Sequence, residues 1–363
     1  MNANLRQLHA LGQSLWVDNI TRQMVGDGTL KSYIDELSVT GLTSNPTIFE
    51  HAIAAGNLYD EQMAELSRQG RSGEDLFFEL AMRDLRGAAD LLRPCFDATD
   101  QVDGWVSLEV SPAIANDTAK TTRMAVELHA RAARENLYIK IPGTPAGLKA
   151  VEASIYAGVP VNVTLLFSRE HYLGAARAYL RGLERRVAAG LDPRVGSVAS
   201  LFVSRWDVAV HDEVPVECRN RLGIAVAKRT YKAYRDLLDS PRWRKLLDAG
   251  AQPQRLLWAS TGTKDASAPD TLYVQALAAR DTIDTIPDPT LQAFADHGQV
   301  HAPLAVGGGD AESVIAEFHQ LGIDDAALAL RLQLEGTASF RASWDSLLAG
   351  IRNKVSHLDG VAA

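Results

Sequence analysis

The sequence predicts an α/β fold: a closed (β/α)8 TIM barrel with additional helices in the connections and a C-terminal helical extension. Three observations lead there. Eight short apolar runs alternate with longer helical stretches, the pattern of right-handed βαβ units on a parallel sheet. No Gly-x-Gly-x-x-Gly turn or phosphate loop follows an early strand, as an open doubly wound sheet, the alternative architecture, would usually show. Polar residues recur near the C-terminal ends of successive runs, the face on which such barrels build their active sites.

The strands are read in order at 15–19 (LWVDN), 38–43 (SVTGLT), 104–110 (GWVSLEV), 137–142 (LYIKIP), 160–167 (PVNVTLLF), 198–203 (VASLFV), 255–260 (RLLWAS) and 281–287 (DTIDTIP). Helices are read between them, for example at 73–93, 116–135 and 169–189. The connections after the second and sixth strands are long, and extra helices are placed in them at about 47–68 and 216–248. After the last strand, residues of about 310–355 form amphipathic helix, read as a cap on the barrel. The glycine run at 307–309 precedes a helix and reads as a flexible loop in preference to a backbone anion site. The aromatic-bearing helix at 229–243 reads as a solvated amphipathic surface rather than an interface. No Pro/Ser-rich linker or repeat divides the chain, so residues 1–363 are expected to form one domain.

Composition is consistent with this. The 363 residues suit one barrel of about 250 residues with helical additions. Hydrophobic residues make up 46% and charged residues 23%, ordinary for a water-soluble globular chain. A net charge of −8 is the wrong sign for a nucleic-acid binder. The 2 cysteines are far apart and the 9 histidines scattered, so neither a structural metal nor a disulfide framework is expected. The N-terminus lacks a signal-peptide layout, and no apolar run approaches the roughly 18 residues of a membrane span. A cytoplasmic chain with no membrane partner is expected.

Strands buried on both faces should read as continuous apolar runs, so their polar residues are informative. Lys140 lies between Ile139 and Ile141. Either its stem is buried and its head reaches water, or desolvation lowers its pKa and leaves an amine able to attack a carbonyl. Alternation puts Ser107 and Glu109 on one face of the third strand, with Leu108 and Val110 toward the helices. Glu109 then points into the barrel, as a functional carboxylate or as a structural ion-pair partner. Asp18, Thr43 and Asn45 close the first two strands, where helix capping and turn formation are the commoner roles. Asn162 and Thr164 share one face of the fifth strand, and a buried Asn needs partners. Ser200 and Arg205 bracket the end of the sixth, and Ser260 through Lys264 follow the seventh. Hydroxyls, Arg and Lys there suit a phosphate.

These segments resemble the transaldolase family along most of the chain, from Trp16 to the C-terminal helices. The resemblance rests on Asp18, on Thr43-Ser44-Asn45-Pro46, on Glu109 in Val-Ser-x-Glu-Val and on Lys140 in Ile-Lys-Ile-Pro. Further along it rests on Asn162 through Ser168 and on Ser200 through Arg205. One departure stands out: many transaldolases carry Ser-x-Arg near the seventh strand, whereas here Ser260 is followed by Thr261 and Gly262. The segment 258–264 is similar to a longer bacterial branch of the family, in which Lys264 would supply the missing charge.

The resemblance implies an enzyme of the pentose phosphate pathway that needs no metal or organic cofactor. Lys140 would take the ketone of sedoheptulose 7-phosphate or fructose 6-phosphate as a Schiff base. Glu109 would shuttle protons through a water held with Thr164, and Asp18 would deprotonate the C4 hydroxyl as the C3–C4 bond breaks. Thr43, Asn45 and Asn162 would bind the three-carbon unit, and Ser200, Phe202, Arg205, Ser260 and Lys264 would complete the substrate site. Partners are then sugar phosphates, and the chain a monomer or homodimer. Two other readings share the motifs: a fructose-6-phosphate aldolase, which would release free dihydroxyacetone, and a non-catalytic sugar-phosphate-binding barrel. Phe202 and the long helical additions resemble transaldolase more than the compact aldolase branch.

Overall fold

A computed structural model describes residues 2–361. Its eight strands are β1 (Gln13–Val17), β2 (Val39–Leu42), β3 (Val106–Glu109), β4 (Leu137–Pro142), β5 (Val161–Leu166), β6 (Ser197–Phe202), β7 (Arg255–Ala259) and β8 (Thr282–Ile286). They form one sheet in the order β2-β1-β8-β7-β6-β5-β4-β3, every named pair parallel. The seam between β2 and β3 closes through a bridge from Gly41 to Trp105, with Leu42 N donating to Trp105 O at 2.9 Å and Gly104 N to Thr40 O at 2.8 Å. The fold is a (β/α)8 barrel with added helices, as the alternation of runs predicts.

Alternation along each strand sorts the core into two parts. Leu137, Ile139 and Ile141 of β4 pack outward against the helices, while Tyr138 joins the barrel interior with Trp16, Trp105, Val198 and Leu257. Trp105 stacks on Tyr138 at 4.0 Å and 17°. Gly41 is required beside this group, because a Cβ there would lie 2.5 Å from the Trp16 ring. Below, buried Asp103 accepts from Trp16 Nε1 and Thr40 Oγ1, each at 2.8 Å, and lies 3.9 Å from Arg255. The interior is therefore plugged at its N-terminal end, and a cavity lies toward the C-terminal ends of the strands.

Helix starts follow short-range chemistry. Asn45-Pro46, Thr144-Pro145 and Ser240-Pro241 each place a capping side chain before a proline at the first helical position. The helix expected at 73–93 runs Gly73–Ala98, passing through Pro94. Proline inside a helix costs about 3 kcal/mol, and buried Phe96 beyond it anchors the extra turn against Trp105. The segment 229–243 differs from its expected role. It divides between helices Leu222–Leu238 and Pro241–Asp248, and Tyr231, Tyr234 and Trp243 are buried in the barrel wall rather than lying on a solvated face. Gly308 and Gly309 of the glycine run line, with Lys228, an outer cavity that shares no residue with the one at the barrel mouth.

The C-terminal extension consists of helices Ala311–Gln320 and Asp325–Val361. The second crosses the barrel mouth. Gln333, Gly336, Phe340, Trp344, Leu347 and Ile351, spaced three and four apart, are its buried stripe. No helix among the described residues is long and apolar enough to cross a membrane.

Candidate active site

The register of β3 on β4 sets Glu109 beside Lys140, and alternation turns both into the barrel. Lys140 is 5% exposed, too deep for its head to reach bulk water. Its Nζ donates to Ser44 O at 2.9 Å and lies 3.8 Å from Glu109 Oε2. The stretch just after β2 thus supplies the acceptor and β3 the neighbouring carboxylate.

Glu109 is buried, and neither carboxylate oxygen has a hydrogen-bond partner among the described residues. Burial pushes its pKa up to about 7, against the pull of Lys140 and helped by the charge of Asp18. The Thr164 hydroxyl is likewise buried without a partner. An unmet buried polar group costs about 1–3 kcal/mol, so a cluster of them at one spot is a mark of chemistry rather than of stability.

Asp18 lies one residue past β1, not at its end as read from sequence. Its Oδ1 accepts from Thr43 Oγ1 at 2.7 Å, and that hydroxyl is 2.6 Å from Thr285 Oγ1. Burial raises the Asp18 pKa, opposed by Lys140 and by the Thr43 hydrogen bond. Lys140, Asp18 and Glu109 therefore interact electrostatically as one group.

A cavity of about 250 Å³ opens above Lys140. It falls just below the roughly 300 Å³ lower bound of drug-sized pockets and suits a small polar ligand. Of the residues given a catalytic or substrate-binding role from sequence, Glu109 and Asn162 are off its wall. Asn162 lies beneath, its Nδ2 donating to Ser107 Oγ at 3.3 Å and its Oδ1 accepting from Ser200 Oγ at 2.7 Å. Asn45 spends its Oδ1 on capping Ile48 N at 3.0 Å, which leaves its amide NH2 toward the cavity.

The far wall is cationic. Arg205 is half-buried with its guanidinium 5.1 Å from the Phe202 ring centroid, and burial lowers its pKa. Neither Arg205 nor Lys264 has an ion-pair partner within 4 Å among the described residues, whereas most other arginines do. Ser260, in the left-handed region at φ 58°, lies 2.8 Å from Ser204 Oγ and carries the chain toward Gly262 and Lys264. Two cations without ion-pair partners beside hydroxyls give this wall the chemistry that suits an anion.

Sequence reading missed Thr285, His51 and Phe340, which also line the cavity. Thr285 was within reach, since it alternates with Asp284 and Ile286 on the inward face of β8. Phe340 had no local signal, because it is brought here by a helix far along the chain.

The family model described as transaldolase/fructose-6-phosphate aldolase matches residues 15–351. A protein of Parafrankia sp. (strain EAN1pec) named transaldolase is 42% identical over 98% of this chain and 99% of its own. Another of Thiobacillus denitrificans, with the same name, is 43% identical over 95% of this chain and 99% of its own. One of Mycobacterium bovis, also named transaldolase, is 41% identical over 99% of both. Similarity of this extent, running through every strand that builds the lysine cavity, places the chain in the transaldolase/fructose-6-phosphate aldolase family.

Proposed function

We propose that the chain is a transaldolase that carries a dihydroxyacetone unit as a Schiff base on Lys140, moving it from sedoheptulose 7-phosphate to glyceraldehyde 3-phosphate. The observation that carries this reading is a buried amine, between the Ser44 carbonyl and the Glu109 carboxylate, at the base of a polar cavity with an unpaired Arg205 on its wall. In its free-base form the amine attacks the ketone, and the ketone oxygen leaves as water to give the imine. Glu109 relays protons through a water that Thr164 also holds. The protonated imine then draws electrons from C3–C4 as Asp18 accepts the C4 hydroxyl proton, so the lysine itself is the electron sink and no cofactor is needed. Erythrose 4-phosphate departs, the enamine adds to the incoming aldose phosphate, and water hydrolyses the resulting imine to release fructose 6-phosphate and regenerate the Lys140 amine.

In this reading Thr43, Asn45 and Asn162 bind the three-carbon hydroxyls. Ser200, Phe202, Arg205, Ser260 and Lys264 hold the remainder and its phosphate, turning remote binding into alignment. The enzyme works in the cytoplasm as a single-domain monomer or homodimer. The test is borohydride reduction in the presence of fructose 6-phosphate, followed by peptide mass mapping. The expected adduct is on the peptide bearing Lys140, and Lys140→Ala gives neither adduct nor transfer. Turnover retained in Lys140→Ala overturns the mechanism.

A further inference from the structure

The C-terminal helix Asp325–Val361 is held across the barrel mouth at several points. Gln333 Nε2, buried, donates to Leu165 O at 2.9 Å and to Gly143 O at 3.2 Å. Thr47 Oγ1 meets Ser343 Oγ at 2.9 Å. Trp344 Nε1 donates at 2.9 Å to Glu74 Oε1, which also accepts from Ser111 Oγ at 2.7 Å, two residues past Glu109. Gly336 lets the helix lie close, since a Cβ there would stand 2.9 Å from Leu165 Cδ2 and 3.2 Å from Arg205 Nη1. On the same face between these anchors is Phe340, 8% exposed and lining the cavity, its ring centroid 6.0 Å from Lys140 Nζ.

That distance lies at the outer limit of cation–π attraction, so the ring's main effect on the amine is to occupy space that water would otherwise fill. The consequence depends on the Schiff base of the proposed function. After C3–C4 cleavage the enamine on Lys140 has two fates. It adds to an aldose, or it takes a proton at carbon to become an iminium, which water attacks. In that second route the C–N bond breaks, the ketone leaves as dihydroxyacetone and the lysine amine is regenerated. Both of its steps need water or its proton at the lysine while the three-carbon unit alone is bound; addition to the aldose does not, and the hydrolysis that frees the transferred product comes only after the aldose is joined.

We propose that Phe340 is a specificity-determining residue, a hydrophobic shutter carried by the C-terminal helix that keeps water other than that of the Glu109–Thr164 relay from the three-carbon enamine on Lys140 and so favours transfer over release. The test compares the wild type with Phe340→Ala and with the bulkier control Phe340→Leu. Three quantities are measured: dihydroxyacetone freed from fructose 6-phosphate with no acceptor present, transfer to erythrose 4-phosphate, and the borohydride-trapped adduct. In Phe340→Ala the ratio of release to transfer rises about tenfold while trapping persists, and Phe340→Leu stays close to the wild type. A helix loosened without specific effect lowers both rates together and leaves their ratio unchanged. An unchanged ratio in Phe340→Ala with the adduct intact overturns the shutter alone, and loss of the adduct from the wild type overturns the Lys140 reading and the shutter with it.

Discussion

Lys140 Nζ lies 3.8 Å from Glu109 Oε2 but gives its hydrogen bond to Ser44 O at 2.9 Å. The carboxylate is thus close enough to feel the amine's charge and yet makes no hydrogen bond to it. A buried ion pair kept for stability would be expected to close that gap, because partial pairing leaves the desolvation penalty of several kcal/mol per ion poorly offset. An unengaged carboxylate with its pKa pushed up to about 7 is instead suited to pass protons.

Below about pH 7 Glu109 is protonated and cannot accept a proton, so single-turnover imine formation falls as pH drops through that value. Glu109→Gln removes the limb and slows imine formation by about 10²–10⁴-fold, the usual range for a general acid–base. Stopped-flow trapping from about pH 5.5 to about pH 8.5 reads both. An inflection that persists in Glu109→Gln assigns the titration to another group.

Asp18 is assigned to a later step. Its carboxylate is fixed by Thr43, just past β2, whose hydroxyl in turn meets that of Thr285 on β8. Asp18→Asn keeps the shape and removes the base. Borohydride then still traps adduct, while release of the aldehyde fragment slows by about a hundredfold or more. Equal slowing of adduct formation and cleavage contradicts the assignment.

The two cations differ in environment and so in expected effect. Arg205 is half-buried, whereas Lys264 is exposed. A hydrogen bond to a charged group contributes about 1.5–3 kcal/mol, so Arg205→Ala should lower kcat/KM for phosphorylated substrates by about tenfold or more. Lys264→Ala should cost less, and its cost should shrink with added salt, since screening acts on exposed charge. Kinetics of both variants at low and high ionic strength test the ranking, and an equal, salt-independent loss from the two refutes it.

What could be read from sequence, and what could not, follows from the range of the interactions. Strand β4 was found at its observed limits because five of its six residues are apolar or aromatic and the sixth is the lysine. Inward placement of Glu109 followed from alternation alone, as Leu108 and Val110 joined the outer core. Alternation placed Asn162 and Thr164 together but breaks just after them, where Leu165 takes a left-handed φ of 58°, the register with β6 slips, and Leu165 packs toward Gly336 of the C-terminal helix. Nothing local marks such a bulge, which the sequence leaves to tertiary packing. The position of Asn162 beneath the cavity depended on hydroxyls from β3 and β6, partners distant in sequence. Phe340 depended on a separation of two hundred residues from the lysine it covers (340 against 140).

Asp284 is a buried carboxyl to which the proposed reaction gives no role. Asp284 precedes the inward Thr285 on β8 and therefore faces the barrel's outer layer, where it is fully buried. Its Oδ1 accepts from Thr261 Oγ1 at 2.8 Å and its Oδ2 has no partner among the described residues. Burial raises its pKa to about 7, opposed by the Thr261 bond. In the unfolded chain an Asp titrates near 3.9. The folded state therefore keeps a proton that the unfolded state has lost. The stability linked to that proton is complete below the unfolded value and disappears as pH rises through about 7. Asp284→Asn retains an acceptor for Thr261 but has no proton to lose. Its stability relative to the wild type should improve by about 2 kcal/mol between about pH 5.5 and about pH 8. Urea melts at the two pH values with unchanged m give this difference directly. A gap that stays constant with pH means that Asp284 does not ionise over this range in the folded protein.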